Sequence, residues 1–266
     1  MRAVIPRRGS DRAEAAADAP LLAIDGVTAG YRHSTVLREV SVTVPAGSVV
    51  ALLGANGAGK TTLLRVAAGL LKPSSGTVSM QGVDVTGQPP FERSRRGLSL
   101  VPEGRGIFRG LSVRDNLLTG YGRRSDAMEH ALELFPELRA HVGQVAGTLS
   151  GGEQQMLALA RSYLANPRVM LVDELSIGLA PVVIDKVYSR LHELASRGMA
   201  ALLVEQYVHR ALAFAQHVYV LVRGQIAVAG SAAELRDHDM MSRYLGAGSR
   251  QCHDETDATP PAPHAE

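Results

Sequence analysis

The sequence predicts an α/β fold built on a mainly parallel sheet. Three observations carry this. The short runs SVVALLG (48–54), VMLVDE (169–174) and MAALLVEQ (199–206) are nearly all apolar until their last residues, as strands buried on both faces are. Segments of helical character separate such runs, so successive strands are joined by right-handed crossovers. A mainly helical block at 112–166 interrupts the alternation and forms a candidate subdomain.

In chain order, residues 1–20 are rich in Ala, Arg, Asp and Pro without periodicity and read as a loose, disordered extension. Residues 21–29 and 36–44 read as strands, separated by AGYRHST. The buried run at 48–54 feeds a glycine-rich loop and a helix over 60–70, and GLSLV (97–101) is a further strand. Arg93, Arg95 and Arg96 form a short basic cluster expected on a solvated face. After the helical block, a helix over 182–197 lies between the two later core strands. VYVLVRGQIAVAG then closes the domain with two strands around Arg223–Gly224. One domain over 21–246 follows, with a polar, Pro-rich and disordered tail over 247–266. No fixed-period repeat argues for a solenoid.

Composition narrows the function. Of the 266 residues, 45% are hydrophobic and 20% charged, enough for a real core. A net charge of +2 makes no electrostatic footprint for nucleic acid. Lysine is scarce: Lys60, Lys72 and Lys186 stand among 28 basic residues. The single cysteine, Cys252, has no partner for an internal disulfide, which fits a reducing cytosol. There is no signal-peptide core and no run of 18 apolar residues, so any membrane link is expected through a partner. His33, His130, His141, His192, His209 and His217 lack metal-ligand spacing, and no structural metal is expected.

Chemistry concentrates in three places. Gly54, Ala55, Asn56, Gly57, Ala58, Gly59, Lys60, Thr61 and Thr62 follow a buried strand and open a helix, the context a phosphate loop requires. Glycines let successive N–H groups converge on phosphate oxygens, and the helix N-terminus adds partial positive charge. Lys60 would reach the β/γ-phosphates of ATP, and Thr61 would give its oxygen to Mg²⁺. Asp173 and Glu174 end an apolar strand at the carboxyl edge of a parallel sheet. There Asp173 can hold Mg²⁺ through its water shell, and Glu174 can polarise a water in line with the γ-phosphate. Leu149–Gln155, LSGGEQQ, places two glycines at a second helix start able to bind phosphate, a puzzle for a monomer unless it caps the ATP of another subunit.

GANGAGKT, LSGGEQQ and VMLVDE, in that order, resemble the ATPase subunits of ABC transporters over residues 21–246. VPEGRGIF, SIGLAP and LVEQ narrow the resemblance to the LivF-type ATPases of branched-chain amino-acid importers. The resemblance implies a P-loop ABC ATPase cassette: a mainly parallel core sheet, an N-terminal antiparallel β part and a helical subdomain. It further implies a head-to-tail pair in which Ser150, Gly151 and Gly152 serve the ATP of a second, heterologous ABC ATPase subunit. Tyr31 matches the aromatic that stacks on adenine. Glu103 stands where most of the family has a glutamine that contacts nucleotide and Mg²⁺, Gln206 where most have a switch histidine, and Ala180 where an aspartate is usual. Gln206 can donate and accept but carries no proton, which leaves the base role to Glu174. Leu175 replaces a common proline, so the Glu174 backbone is expected to be slightly looser while the site still works.

Implied partners are two transmembrane permease subunits, docked at GIFRGLSVRDNL (106–117), and an extracytoplasmic solute-binding protein. The chain is then expected at the cytoplasmic face of the membrane, held peripherally by the permeases. Two other readings compete: the ATPase of a lipid or polysaccharide exporter, and a soluble ABC ATPase acting on DNA or ribosomes. The absence of long insertions and of a second cassette argues against the latter. Intact Lys60, Thr61, Asp173 and Glu174 argue against a scaffold that only binds ATP.

Overall fold

The structure is a computed structural model, and it describes residues 19–32, 34–119, 125–176 and 178–236. Most of the extension over 1–20, the tail over 247–266, His33 and Cys252 lie outside the described residues.

Strands β1 (Leu22–Tyr31) and β2 (Ser34–Val44) precede β3 (Val49–Leu53), the phosphate loop and helix α1 (Lys60–Ala67). Next come β4 (Ser75–Met80), β5 (Val83–Asp84), α2 (Pro90–Arg95) and β6 (Leu98–Val101). The helical block comprises α3 (Val113–Leu118), α4 (Ser125–Leu134), 3₁₀ turns at Pro136–His141 and Ala146–Thr148, and α5 (Gly151–Leu164). The chain continues through β7 (Val169–Asp173), α6 (Pro181–Ser196), β8 (Ala200–Glu205), α7 (Val208–Phe214), β9 (His217–Val222) and β10 (Gln225–Ser231).

Two sheets result. The antiparallel one has the order β2-β1-β4-β5, and the core sheet has the order β10-β9-β3-β8-β7-β6. In the core sheet only the edge strand β10 is antiparallel to its neighbour. Every residue of β3, β7 and β8 is buried, which explains why their sequences are apolar up to the carboxylates that close β7 and β8. Successive β3 side chains enter opposite cores, as the strand period of two demands. Val50 and Leu52 pack under α1 and the antiparallel sheet with Leu22, Ile24, Leu63 and Leu64. Val49 faces α5 and α6 with Met170, Val172, Leu157 and Leu191.

The structure adds β4, β5, α2, α7 and a 3₁₀ turn at Glu234–Arg236 to the sequence reading. It also corrects the reading of the basic cluster. Arg95 and Arg96 are exposed, but Arg93 is 1% exposed. Its guanidinium donates to the carbonyls of Val66 and Ala67 (2.8 Å each), Thr86 (3.0 Å) and Gln88 (3.1 Å). It therefore ties the last carbonyls of α1 to the segment between β5 and α2. No helix among the described residues is long and apolar enough to cross a membrane.

Candidate active site

Cross-strand register places Leu53 beside Glu205 and Asp173 beside Val204. Three adjacent strands, β3, β8 and β7, therefore end together. Their carboxyl ends deliver the phosphate loop, Gln206 and the acidic pair to one edge of the sheet, where α/β proteins bind ligands.

The loop is sterically exacting at two glycines. A Cβ on Gly54 would run into the Leu221 carbonyl, and Gly59, which enters α1, has φ 110°, a conformation that favours glycine. Lys60 is buried, and its Nζ donates to the carbonyls of Gly54 (2.8 Å) and Ala55 (3.1 Å). Burial pushes its ammonium pKa down, while the carboxylates of Glu174, Asp173 and Glu205 push it up. Asp173 is also buried. Burial holds its carboxyl above the usual range, against a hydrogen bond with Thr61; Glu174 and Glu103 add to the rise and Lys60 opposes it. Asp173 Oδ1 has no hydrogen-bond partner among the described residues.

Glu174 lies just past β7 with φ 50°, and its N–H donates to the Val204 carbonyl at 3.1 Å. Gln206 Nε2 donates to Glu174 Oε1 at 2.8 Å. Leu175 is packed into the core at 1% exposure, so burial anchors the turn that the sequence reading left loose. Tyr31 ends β1, is 41% exposed, and its hydroxyl accepts from Arg65 Nη1 at 3.1 Å.

Ser150, Gly151 and Gly152 open α5. The Ser150 N–H donates to Glu153 Oε2 at 2.8 Å, and the Glu153 N–H donates to Ser150 Oγ at 3.4 Å, a complete capping box. A Cβ on Gly152 would collide with the Val183 side chain, so glycine there lets α5 pack closely on α6. Among the described residues, no hydrogen bond joins this segment to the phosphate loop or the acidic pair.

Thus the structure brings together residues 54–62, Asp173, Glu174 and Gln206, sets Glu103 within electrostatic reach, and holds Ser150–Gly152 on a separate helix start. The sequence reading missed Glu205, Ser176 and Arg105. Arg105 Nη1 donates to Gln154 Oε1 at 2.6 Å, and Gln154 Nε2 donates to the Leu149 carbonyl at 2.9 Å. This links the Glu103 loop to the segment before Ser150. A carboxylate closing the apolar run AALLVE was the available signal for Glu205.

A phosphate loop and an acidic pair at neighbouring strand ends, with a helical insert carrying a second glycine-rich helix start, define a P-loop ATPase cassette. The model of the ABC transporter family matches residues 37–176, and the chain belongs to that family. It is 40% identical over 232 residues to the high-affinity branched-chain amino acid transport ATP-binding protein BraG of Pseudomonas aeruginosa, spanning 85% of this chain and 100% of that protein. It is 36% identical over 223 residues to the probable branched-chain amino acid transport ATP-binding protein LivF of Archaeoglobus fulgidus, spanning 82% and 94%. The lipopolysaccharide export system ATP-binding protein LptB of Escherichia coli is 34% identical over 227 residues, spanning 81% and 93%. Among solved structures, the ADP conformation of an ATP-binding cassette from an ABC transporter is 26% identical with a TM-score of 0.74, over 80% of this chain and 92% of that one. A nucleotide-free cassette is 25% identical with a TM-score of 0.75, over 85% and 99%. The chain is therefore a nucleotide-binding ABC ATPase.

Proposed function

We propose that this chain, through an ATPase domain over 21–246, powers the uptake of branched-chain amino acids or a related small polar solute. The observation that carries its catalytic part is the 2.8 Å hydrogen bond from Gln206 to Glu174, formed beside the buried Lys60. It fixes a carboxylate where the phosphate loop ends while leaving its neighbour unable to take a proton. Glu174 is the general base for the attacking water, and Gln206 orients it. Lys60 and the loop N–H groups hold the β/γ-phosphates of ATP, and Tyr31 takes the adenine.

The donors present fit Mg²⁺: the Thr61 hydroxyl and Asp173, whose Oδ1 is buried without a partner among the described residues, with Glu103 nearby. Mg²⁺ prefers one or two carboxylates and retained waters, and when bound it neutralises phosphate charge. Ser150, Gly151 and Gly152 serve the ATP held by a second, related ABC ATPase subunit. Exposed Phe108 (46%) and Leu111 (41%) support residues 106–117 as the permease dock. Two permeases and an extracytoplasmic solute-binding protein complete the assembly, with this chain peripheral at the cytoplasmic face.

Greater identity to BraG than to LptB supports import over lipid export. The test compares leucine uptake and ATP hydrolysis by the assembled transporter carrying wild-type chain or Glu174→Gln. Loss of a positioned base lowers turnover by about 10²–10⁴-fold with ATP still bound, and leucine uptake stops with it. Retained turnover sinks the role of Glu174. Lipid export in place of leucine uptake sinks the import reading.

A further inference from the structure

Glu205 is the buried carboxylate that the proposed mechanism does not use. It ends β8 one residue before Gln206 and is 1% exposed. Its Oε2 accepts two donors: the buried Ser176 hydroxyl at 2.7 Å and the Gln206 N–H at 3.2 Å. Ser176 lies two residues after Glu174. One oxygen therefore ties together the two segments whose side chains meet in the Gln206–Glu174 bond. The Glu174 N–H, bonded to the Val204 carbonyl, adds a second stitch between the same segments. The Tyr188 phenol also faces Glu205; burial first, and that carboxylate second, raise its pKa, so it keeps its proton.

Glu174 needs this restraint. Its φ of 50° is left-handed. For a side chain larger than glycine, such a conformation persists only where the surroundings over-determine it. Leu175, unlike proline, does not fix its own φ, so the turn depends on the buried Leu175 side chain and on the Ser176–Glu205 bond. A buried carboxylate is a poor choice for stability alone, because packed apolar residues often serve as well.

We infer that Glu205 is a positioning residue for hydrolysis: it fastens the turn after the acidic pair to the start of the Gln206 loop, so that Gln206 meets Glu174. The inference rests on Glu174 acting as the base. Glu205 works by accepting two hydrogen bonds, so an amide oxygen in its place suffices.

The experiment measures kcat for ATP hydrolysis by the full chain in its assembled transporter, beside the Kd of a fluorescent ATP analogue. Buried hydrogen bonds to a charged acceptor make Glu205→Ala lower kcat by about 10–100-fold while Kd stays within about threefold. Glu205→Gln keeps kcat within about threefold of wild type, because its carbonyl oxygen accepts both donors. Ser176→Ala, which deletes one hydroxyl and leaves the core apolar, lowers kcat by about 5–10-fold and decides the matter if Glu205→Ala does not fold. Wild-type kcat in Glu205→Ala or Ser176→Ala overturns the inference. So does kcat falling together with ATP affinity, or Glu205→Gln performing no better than Glu205→Ala. Glu174→Gln in parallel separates the two levels: continued turnover there removes the base assignment itself, whatever the Glu205 variants do.

Discussion

The two glycine-rich helix starts, at Lys60 and at Gly151, put the same physical device to different use. Both present backbone N–H groups and a partial positive charge. Helix α1 begins after Gly59 with no side-chain cap of its own, inside a loop whose lysine is buried among three carboxylates. Helix α5 begins with a closed capping box in which Ser150 and Glu153 satisfy each other. An uncapped start sunk at the edge of a sheet is built to take its acceptor from a ligand. A capped start is stable alone, and any ligand must share what the cap already uses. On the proposed reading this is why one chain binds ATP by itself yet needs a second surface to close over it.

Lys60→Ala is the strongest way to break the comparison. It removes the cation from the uncapped start and leaves α5 untouched. Loss of one preorganised phosphate donor lowers hydrolysis by about 10²–10³-fold, and ATP affinity falls with it. A fluorescent-nucleotide titration checks this. Unchanged affinity means that the loop N–H groups alone hold the phosphates.

Ser150→Ala sharpens it from the other side. Opening the capping box costs about 0.5–2 kcal/mol, a fall of about 1–8 °C in Tm for a domain of this size. ATP binding by the isolated chain is unchanged, because Ser150 has no hydrogen bond to the phosphate loop. ATP-driven pairing of the chain with a second ATPase subunit, followed in the Glu174→Gln background, weakens. Calorimetry and light scattering read the two effects separately. A loss of monomer ATP affinity equal to that of Lys60→Ala would erase the distinction between the starts.

What could be read from the sequence follows the same divide between local and assembled features. The phosphate loop and acidic pair are contiguous motifs after unbroken apolar strands, so position and chemistry were both visible. The Gln206–Glu174 contact joins residues 32 apart and exists because β7 and β8 are neighbours, which no local pattern states. Glu205 has the same origin. β4 was missed because SGTVSM offers only Val78 and Met80 to the core. Arg93 resembled its exposed neighbours, yet two carbonyls at the end of α1 and two in the segment between β5 and α2 draw it inside. Leu175 was visible as a departure, but its anchoring depended on the core it enters.

The smallest effect is a reversal of sign between the two regions as pH changes. At Asp173 burial holds the carboxyl pKa up, so its ionised form destabilises the folded, nucleotide-free chain, and that cost appears as pH rises above the ordinary carboxylate range. Asp173→Asn therefore raises Tm at pH 7 by about 1–3 °C and loses the gain near pH 4, although it ends Mg²⁺-dependent hydrolysis. At Glu153 partial burial raises the pKa, but the Ser150 N–H and hydroxyl, with His141, outweigh it and the net shift is downward. Its ionised form stabilises the fold at neutral pH, and that contribution is lost as pH falls through its lowered value. Glu153→Gln keeps an acceptor for the capping box and removes only the charge, so Tm at pH 7 falls by about 1–2 °C and converges with wild type in acid. Thermal unfolding from pH 3 to pH 8 without nucleotide checks both arms. A fall in Tm at pH 7 for both variants would mean that the acidic pair, like the capping box, is built for stability, and the contrast between the two helix starts would lose its electrostatic basis.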